Sequence, residues 1–274
     1  MPPLGLAMVQ LDLPGHGYSE GERAYAEHYS HWVDDIFQLL EAVAGGGGGF
    51  AQASTGHFSL SEDQLEQLGK VPIFFSGESL GGGLSLLTGL TLQDRQHELL
   101  PRFKGVCLVA PAIKGNPPPA PIVAFLRYFV VPLIPKWQIP DFLESVRIPS
   151  EVWKSEKDRK IAEQDRWGNP GSLGWGHNMK FNMGLCMMDM VGVVHRRLSD
   201  VKFPFLIMHD PGDAIVQFAP ACELMEKAAT PTDDNPRARE LKEMDGWLHD
   251  LLTNCTDLVI GNITDWILHQ LSHK

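Results

Sequence analysis

The feature that most limits what this chain can fold into is residues 71–83, V-P-I-F-F-S-G-E-S-L-G-G-G. A short apolar run rich in β-formers stops at Ser76, Gly77-Glu78-Ser79-Leu80-Gly81 follows at once, and residues 80–92 suit a helix. G-x-S-x-G between a buried strand and a helix puts the serine on a sharp turn. The serine is held there in a strained backbone conformation, and its neighbours two positions away on each side crowd one another unless both lack a Cβ. Gly77 and Gly81 meet that need. The turn is expected to lift Ser79 Oγ above the sheet edge. It would aim the Leu80 backbone N–H, at a helix N-terminus, where an oxyanion would form. A glycine-rich loop with a capping serine is the plainer reading; the flanking strand and helix and the further Gly82-Gly83 argue against it.

The rest of the chain reads as α/β. Residues 4–13 have apolar positions that barely alternate, which predicts a strand buried on both faces. The loop after it, D-L-P-G-H-G-Y-S-E-G at 12–21, is not a dinucleotide fingerprint, because Glu20 stands where the third glycine is needed. His16 is read as a loop residue bonded to nearby backbone, since nothing close by in sequence would orient it. Trp32, Ile36, Leu39, Leu40 and Val43 mark one face of a helix over 30–44. The glycine-rich stretch at 45–58 reads as a surface insertion and lacks the Lys-Ser/Thr ending of a phosphate loop. Ser61-Glu62-Asp63-Gln64 is a capping box opening a short helix through Leu68. Further strands are expected at 103–110, 205–209 and 241–244.

Between the strands at 103–110 and 205–209 the chain changes character. Residues 116–121 are proline-rich, and 122–135 is strongly apolar with Arg127 as its one charge. That run is shorter than the ~20 apolar residues of a transmembrane helix and is broken by Pro132. A buried core helix is one reading. A cap helix over an acyl-binding pocket is preferred, because lids are inserted in such sheet-to-sheet crossovers. Trp153, Trp167, Trp175 and the methionines from 179 to 190 continue the cap; so many methionines suit either a variable ligand or an adaptable core. The expected organisation is a core at 1–111, a cap at 112–200 and the rest of the core at 201–274.

Acidic residues outnumber basic ones, 34 to 23, for a formal charge of −11, which argues against a nucleic-acid partner. Cys107, Cys186, Cys222 and Cys255 show no paired spacing, so neither a disulfide framework nor a zinc site is indicated. With no basic segment ahead of an apolar stretch at the N-terminus, no signal peptide is visible; the expected location is cytoplasmic. The sequons at Asn254 and Asn262 are read as chance matches.

A nucleophilic serine needs a base and an acid behind it. The strand at 205–209 leads into H-D-P-G-D-A-I-V, with Asp210 and Asp213 in one turn. Asp213 is favoured, because Asp210 sits in the turn itself and suits an Asx bond to backbone. Of 11 histidines, His249 alone follows both nucleophile and acid on a loop after a plausible last strand. The order Ser79, Asp213, His249 is the chain order of α/β-hydrolases.

With these residues assembled, the chain resembles the monoacylglycerol lipase branch of the α/β-hydrolases, also described as serine aminopeptidase S33-like. The resembling motifs are D-L-P-G-H-G-Y-S-E-G at 12–21, G-E-S-L-G-G-G at 77–83, V-A-P-A-I-K at 109–114, H-D-P-G-D at 209–213 and the loop at 246–249. In that family the acid motif usually reads H-G-x-x-D, so Asp210 replaces a glycine and bends the turn differently. The family normally has three strands before the one expected at 4–13, the third central in the sheet and ending in a His-Gly loop that donates the second oxyanion N–H. On that comparison this chain is expected to be an N-terminally truncated version of a longer enzyme. Either the slot beside the elbow strand stays unpaired, or the flanking strands pair directly.

The resemblance implies hydrolysis of a lipid ester such as a monoacylglycerol or lysophospholipid, with neither metal nor organic cofactor. It also admits peripheral membrane contact through the cap. Aminopeptidase or acyltransferase activity is the rival on the same fold, and a catalytically impaired binding protein is the rival of another class.

Overall fold

A computed structural model describes residues 5–44, 63, 66, 67, 69–115, 117–140, 149–166 and 173–273. The low-complexity stretch at 45–58, most of the capping-box helix and Trp167 lie outside the described residues. Among the described residues four strands form one parallel sheet in chain order: β1 (Ile73–Glu78), β2 (Phe103–Val109), β3 (Phe205–His209) and β4 (Arg239–Glu243). Each parallel step needs a crossover, and helices fill these connections. The described helices are α1 (Tyr29–Ala44) ahead of β1; α2 (Leu80–Asp94) between β1 and β2; α3 (Ala120–Phe125), α4 (Pro149–Val152), α5 (Glu156–Arg166) and α6 (Phe181–Arg196) between β2 and β3; α7 (Ala219–Lys227) between β3 and β4; and α8 (Leu251–Asn254) and α9 (Thr256–Ser272) after β4.

The sheet separates two apolar layers, and the period of two along its central strands feeds both. Val106 and Leu108 of β2 and Phe205 and Ile207 of β3 face a layer that includes Trp32 and Phe37 of α1, Leu86 and Leu90 of α2, and Met183 and Met190 of α6. Cys107 and Val109, with Leu206 and Met208, face α9 through Val259, Ile263 and Trp266. Both central strands are covered on each face, which explains the apolar runs 106–109 and 205–208 within them. Met183 and Met190 are fully buried, so in α6 methionine is core packing.

The expectation of a buried strand at 4–13 is overturned. Residues 5–13 form no strand, and Met8, Val9 and Leu11 are exposed. The resemblance places a strand between this segment and β1. Among the described residues none occupies that place, and the segment does not pair with β1 directly. Local β-propensity cannot form a strand without a partner to accept its N–H groups; an unpaired segment is instead hydrated and runs over the surface. The loop that follows closes on itself, with Gly15 N–H donating to Glu20 O at 2.8 Å and Tyr18 N–H to Asp12 Oδ2 at 2.9 Å. Glu22 pairs with Lys180 and Lys136, and Asn182 Nδ2 donates to Ala26 O, fastening this stretch to the N-terminal end of α6.

The apolar run after Pro119 forms α3 and a π-helical turn, Leu126–Val130, with no residue of either buried. Ile122, Phe125, Tyr128 and Phe129 are all exposed, which excludes the buried-core-helix reading. Among the described residues no helix is long and apolar enough to cross a membrane.

Candidate active site

The elbow is built as its sequence requires, with one difference. Ser79 has φ 54° and ψ −117°, a conformation costly for a residue with a Cβ, between the end of β1 and the start of α2. Two backbone bonds hold it there: Ser79 N donates to Val109 O at 2.9 Å, and Ala112 N donates to Ser79 O at 2.8 Å. A Cβ on Gly77 would collide with the backbone of Gly81, whereas one on Gly81 would meet nothing within 4 Å. The mutual crowding expected of Gly77 and Gly81 is therefore one-sided. Gly82 supplies the other close approach, since a Cβ there would lie 2.9 Å from Pro111 Cα. Leu80 opens α2, so its N–H has no carbonyl one turn earlier to donate to.

β3 ends at His209, and the next turn presents the acid. Asp213 has a fully buried side chain. Its Oδ1 accepts the N–H groups of Ile215 and Val216 at 2.7 and 2.9 Å. Its Oδ2 lies 2.7 Å from His249 Nδ1 and 3.2 Å from His209 Nε2. Burial pushes the Asp213 carboxyl up, but the hydrogen bonds from His209 and His249, the imidazole charge and the Val216 N–H outweigh it. They hold the group well below the usual carboxylate range.

His249 Nε2 lies 3.0 Å from Ser79 Oγ, so the one imidazole bridges the hydroxyl and the Asp213 carboxylate, which are separated by more than a hundred residues. A carboxylate behind Nδ1 keeps the hydrogen on that nitrogen and leaves the Nε2 lone pair facing the hydroxyl. The arrangement can take a proton from Ser79 as Oγ attacks a carbonyl carbon, then return it to a leaving group.

Sequence reading missed how firmly the histidine loop is held. Asp210 is buried; its Oδ1 accepts Gly212 N–H at 2.8 Å in the expected Asx turn, but its Oδ2 also accepts Leu248 N–H at 2.6 Å. Leu248 needs that support, because its φ is +65°. Asp250, next to His249, caps α8 through Thr253 N–H at 2.9 Å and accepts Trp153 Nε1–H at 2.5 Å. Asn254 Nδ2 donates to Val152 O and Trp247 O, both at 2.8 Å, so this sequon asparagine is engaged in tying the loop to the insertion. From the elbow side, Glu78 Oε1 accepts Leu252 N–H at 3.1 Å. The substitution of aspartate for the usual glycine at 210 was the one signal in the sequence that pointed to any of this.

His16 is where the plainer reading put it, with Nδ1 3.1 Å from Pro14 O and its ring edge against Trp175. The four cysteines are free. Among the described residues no group of three or more His, Cys, Asp or Glu gathers into a metal-binding cluster.

Comparison with known proteins agrees with this architecture. The family described as serine aminopeptidase, S33, matches residues 3–256. Monoglyceride lipase of Rattus norvegicus is 27% identical over 276 aligned positions, covering 98% of this chain and 75% of the rat protein. The human enzyme of the same name is 26% identical, over 96% of this chain and 74% of its own length. Among solved structures, Paleococcus ferrophilus monoacylglycerol lipase superposes with a TM-score of 0.64 at 18% identity, over 93% of this chain and 81% of the other. A soluble variant of the Saccharomyces cerevisiae monoglyceride lipase gives 0.65 at 16% identity, over 94% and 76%. These structures share the parallel sheet flanked by helices. A family match across most of the sequence and an elbow serine on that sheet lead to one conclusion: the chain is an α/β-hydrolase of the serine aminopeptidase S33 family.

Proposed function

We propose that this protein hydrolyses carboxylic esters of lipids, a monoacylglycerol or lysophospholipid, through an acyl-enzyme on Ser79. The observation that carries this is His249, 3.0 Å from Ser79 Oγ on one side and 2.7 Å from the buried Asp213 carboxylate on the other. Ser79 Oγ attacks the ester carbonyl while its proton passes to His249 Nε2. The Leu80 N–H, at the positive end of α2, faces the oxygen that gains charge. As the carbon–oxygen bond breaks, His249 protonates the departing alcohol. Water then attacks the acyl carbon, gives a proton to His249 and frees Ser79 and a carboxylic acid. Asp213 keeps the tautomer and offsets the imidazolium charge.

For the lipid, support comes from the insertion at 112–200, read as a cap. Phe125 and Phe129 stack with centroids 5.7 Å apart on a surface where Tyr128, Leu133 and Trp137 are also exposed. A patch of that kind suits an acyl chain or a lipid surface better than water. We take it as a site of peripheral membrane contact. The aminopeptidase reading is kept because the matching family carries that description.

Labelling with a fluorophosphonate probe tests the nucleophile: wild type is modified and Ser79→Ala is not. Folded wild type that fails to react overturns the hydrolase and leaves a binding protein. Assayed side by side, long-chain monoacylglycerol is expected to turn over at least tenfold faster than an aminoacyl anilide. A preference for the anilide overturns the lipid assignment.

A further inference from the structure

Glu78 immediately precedes Ser79, and the triad mechanism gives it no part. Its side chain is half-buried and points along the elbow to the segment that follows His249. Oε1 accepts Leu252 N–H at 3.1 Å, and Asp250 Oδ1 accepts the next N–H along the chain, that of Thr253, at 2.9 Å, so the two carboxyl groups sit side by side at the start of α8. Two carboxyl groups so placed repel one another unless a proton lies between them. Asp250 is committed as an acceptor on both oxygens, to Thr253 N–H and to Trp153 Nε1–H, and has no hydrogen to give in either bond. The proton therefore belongs on Glu78.

Building on the hydrolase reading above, we infer that protonated Glu78 is a positioning residue. By donating to Asp250 and accepting from Leu252 N–H, it latches the histidine loop to the nucleophile elbow and keeps His249 against Ser79. Asp210 and Asp213 grip the same loop from the β3 side, so Glu78 supplies the restraint from the β1 side.

Burial first, and then the Asp250 charge, raise the Glu78 carboxyl from its ordinary 4.5 to about 8, against the opposing Leu252 and Leu251 N–H groups. The other titratable groups around this pair are His249 on the loop, the Cys255 thiol at the start of α9, and Lys154 from the insertion, whose Nζ sits 4.2 Å above the Trp247 ring. Burial above all pushes the Cys255 thiol up to about 11, which keeps it neutral at physiological pH. Above pH ~8 Glu78 would ionise beside an Asp250 that is already charged. The latch then becomes a repulsive contact at the residue next to the catalytic imidazole.

The test is a pH–rate profile on the full chain with a soluble ester, from pH 6 to 10, for wild type, Glu78→Gln and Glu78→Ala. The glutamine amide can donate to Asp250 and accept from Leu252 without titrating. It is expected to keep kcat within about threefold of wild type at pH 7 and to lose the fall in rate above pH 8. Alanine is expected to lower kcat at pH 7 by about tenfold with little change in KM. A wild-type profile flat to pH 10, or a glutamine variant with the same alkaline fall, overturns the latch. A second readout needs no activity. In Ser79→Ala protein, the infrared band of a protonated carboxyl should vanish near pH 8 and be absent from the Ser79→Ala/Glu78→Gln double variant. Retention of that band in the double variant also overturns the latch. Failure of Ser79-dependent hydrolysis would overturn the hydrolase reading instead, and the infrared titration would then decide the latch by itself.

Discussion

At the residue scale the site depends on carboxyl groups whose roles are set by what surrounds them. Asp213, Asp210 and Glu78 all reach the His249 loop, yet each makes a different bond: to the imidazole, to Leu248 N–H and to Leu252 N–H. Asp210 gives the most direct test. Removing its side chain leaves the Leu248 N–H without its acceptor and Leu248 in a left-handed conformation with nothing holding it. An orphaned buried donor costs about 1–3 kcal/mol. Asp210→Ala is therefore expected to lower both the denaturation midpoint and kcat, while Asp210→Asn, which keeps an acceptor oxygen, loses less of each. Equal loss in the two variants would mean that charge, and not the hydrogen bond to Leu248, is what matters at this position. The glycines act at the same scale. Gly77 and Gly82 are where backbone passes too close for a side chain, at Gly81 and at Pro111, and without those approaches Ser79 could not hold its strained angles.

At the element scale, β2 and β3 do most of the placing. Parallel strands buried on both faces end together at one edge, so the loops after β1, β3 and β4 deliver serine, acid and histidine to the same rim. The insertion between β2 and β3 contributes at both of its ends. Its last helix, α6, is a core element packed through Met183, Met190 and Val194, while α3 and the π turn after it leave their aromatic residues uncovered. The membrane-contact reading is tested on that exposed element. Replacing Phe125 and Phe129 together by serine should reduce co-sedimentation with phospholipid vesicles several-fold and raise KM for vesicle-borne monoacylglycerol, while leaving turnover of a soluble ester nearly unchanged. Unaltered co-sedimentation would remove α3 as the contact. Because neither side chain is buried, the change should have little effect on folding.

Over the whole molecule, the buried acids make stability depend on pH in opposite senses. Asp213 is held below its ordinary value of 3.8, so the folded state binds that proton less well than the unfolded chain. The stability it contributes is present above pH ~4 and is lost as pH falls further. Glu78 is raised from 4.5 to about 8, so its contribution is complete below pH ~4.5 and declines as pH rises through 8. Denaturant titrations between pH 3 and 9 should show Glu78→Gln flattening the slope between pH ~4.5 and 8 and Asp213→Asn flattening the one below pH ~4. A Glu78→Gln slope identical to wild type would mean that the folded state does not hold that proton.

Much of this was legible in the sequence because it is local. The β1 turn into α2 follows from residues 71–83 alone, since a strand, two needed glycines and a helix leave the backbone one route. The central strands were readable from their apolar runs, 106–109 and 205–208, which is how a strand covered on both faces must look. Ser79, Asp213 and His249 were singled out by their order along such strands, and the structure gathers them within hydrogen-bonding distance. What the sequence could not decide depends on partners distant along the chain. Residues 5–13 have the composition of a strand, but a strand exists only where another accepts its hydrogen bonds, and among the described residues this segment pairs with none. The link from Glu78 to the far end of the His249 loop crosses 174 residues and leaves no mark in spacing or pattern; only the folded chain brings its two ends together.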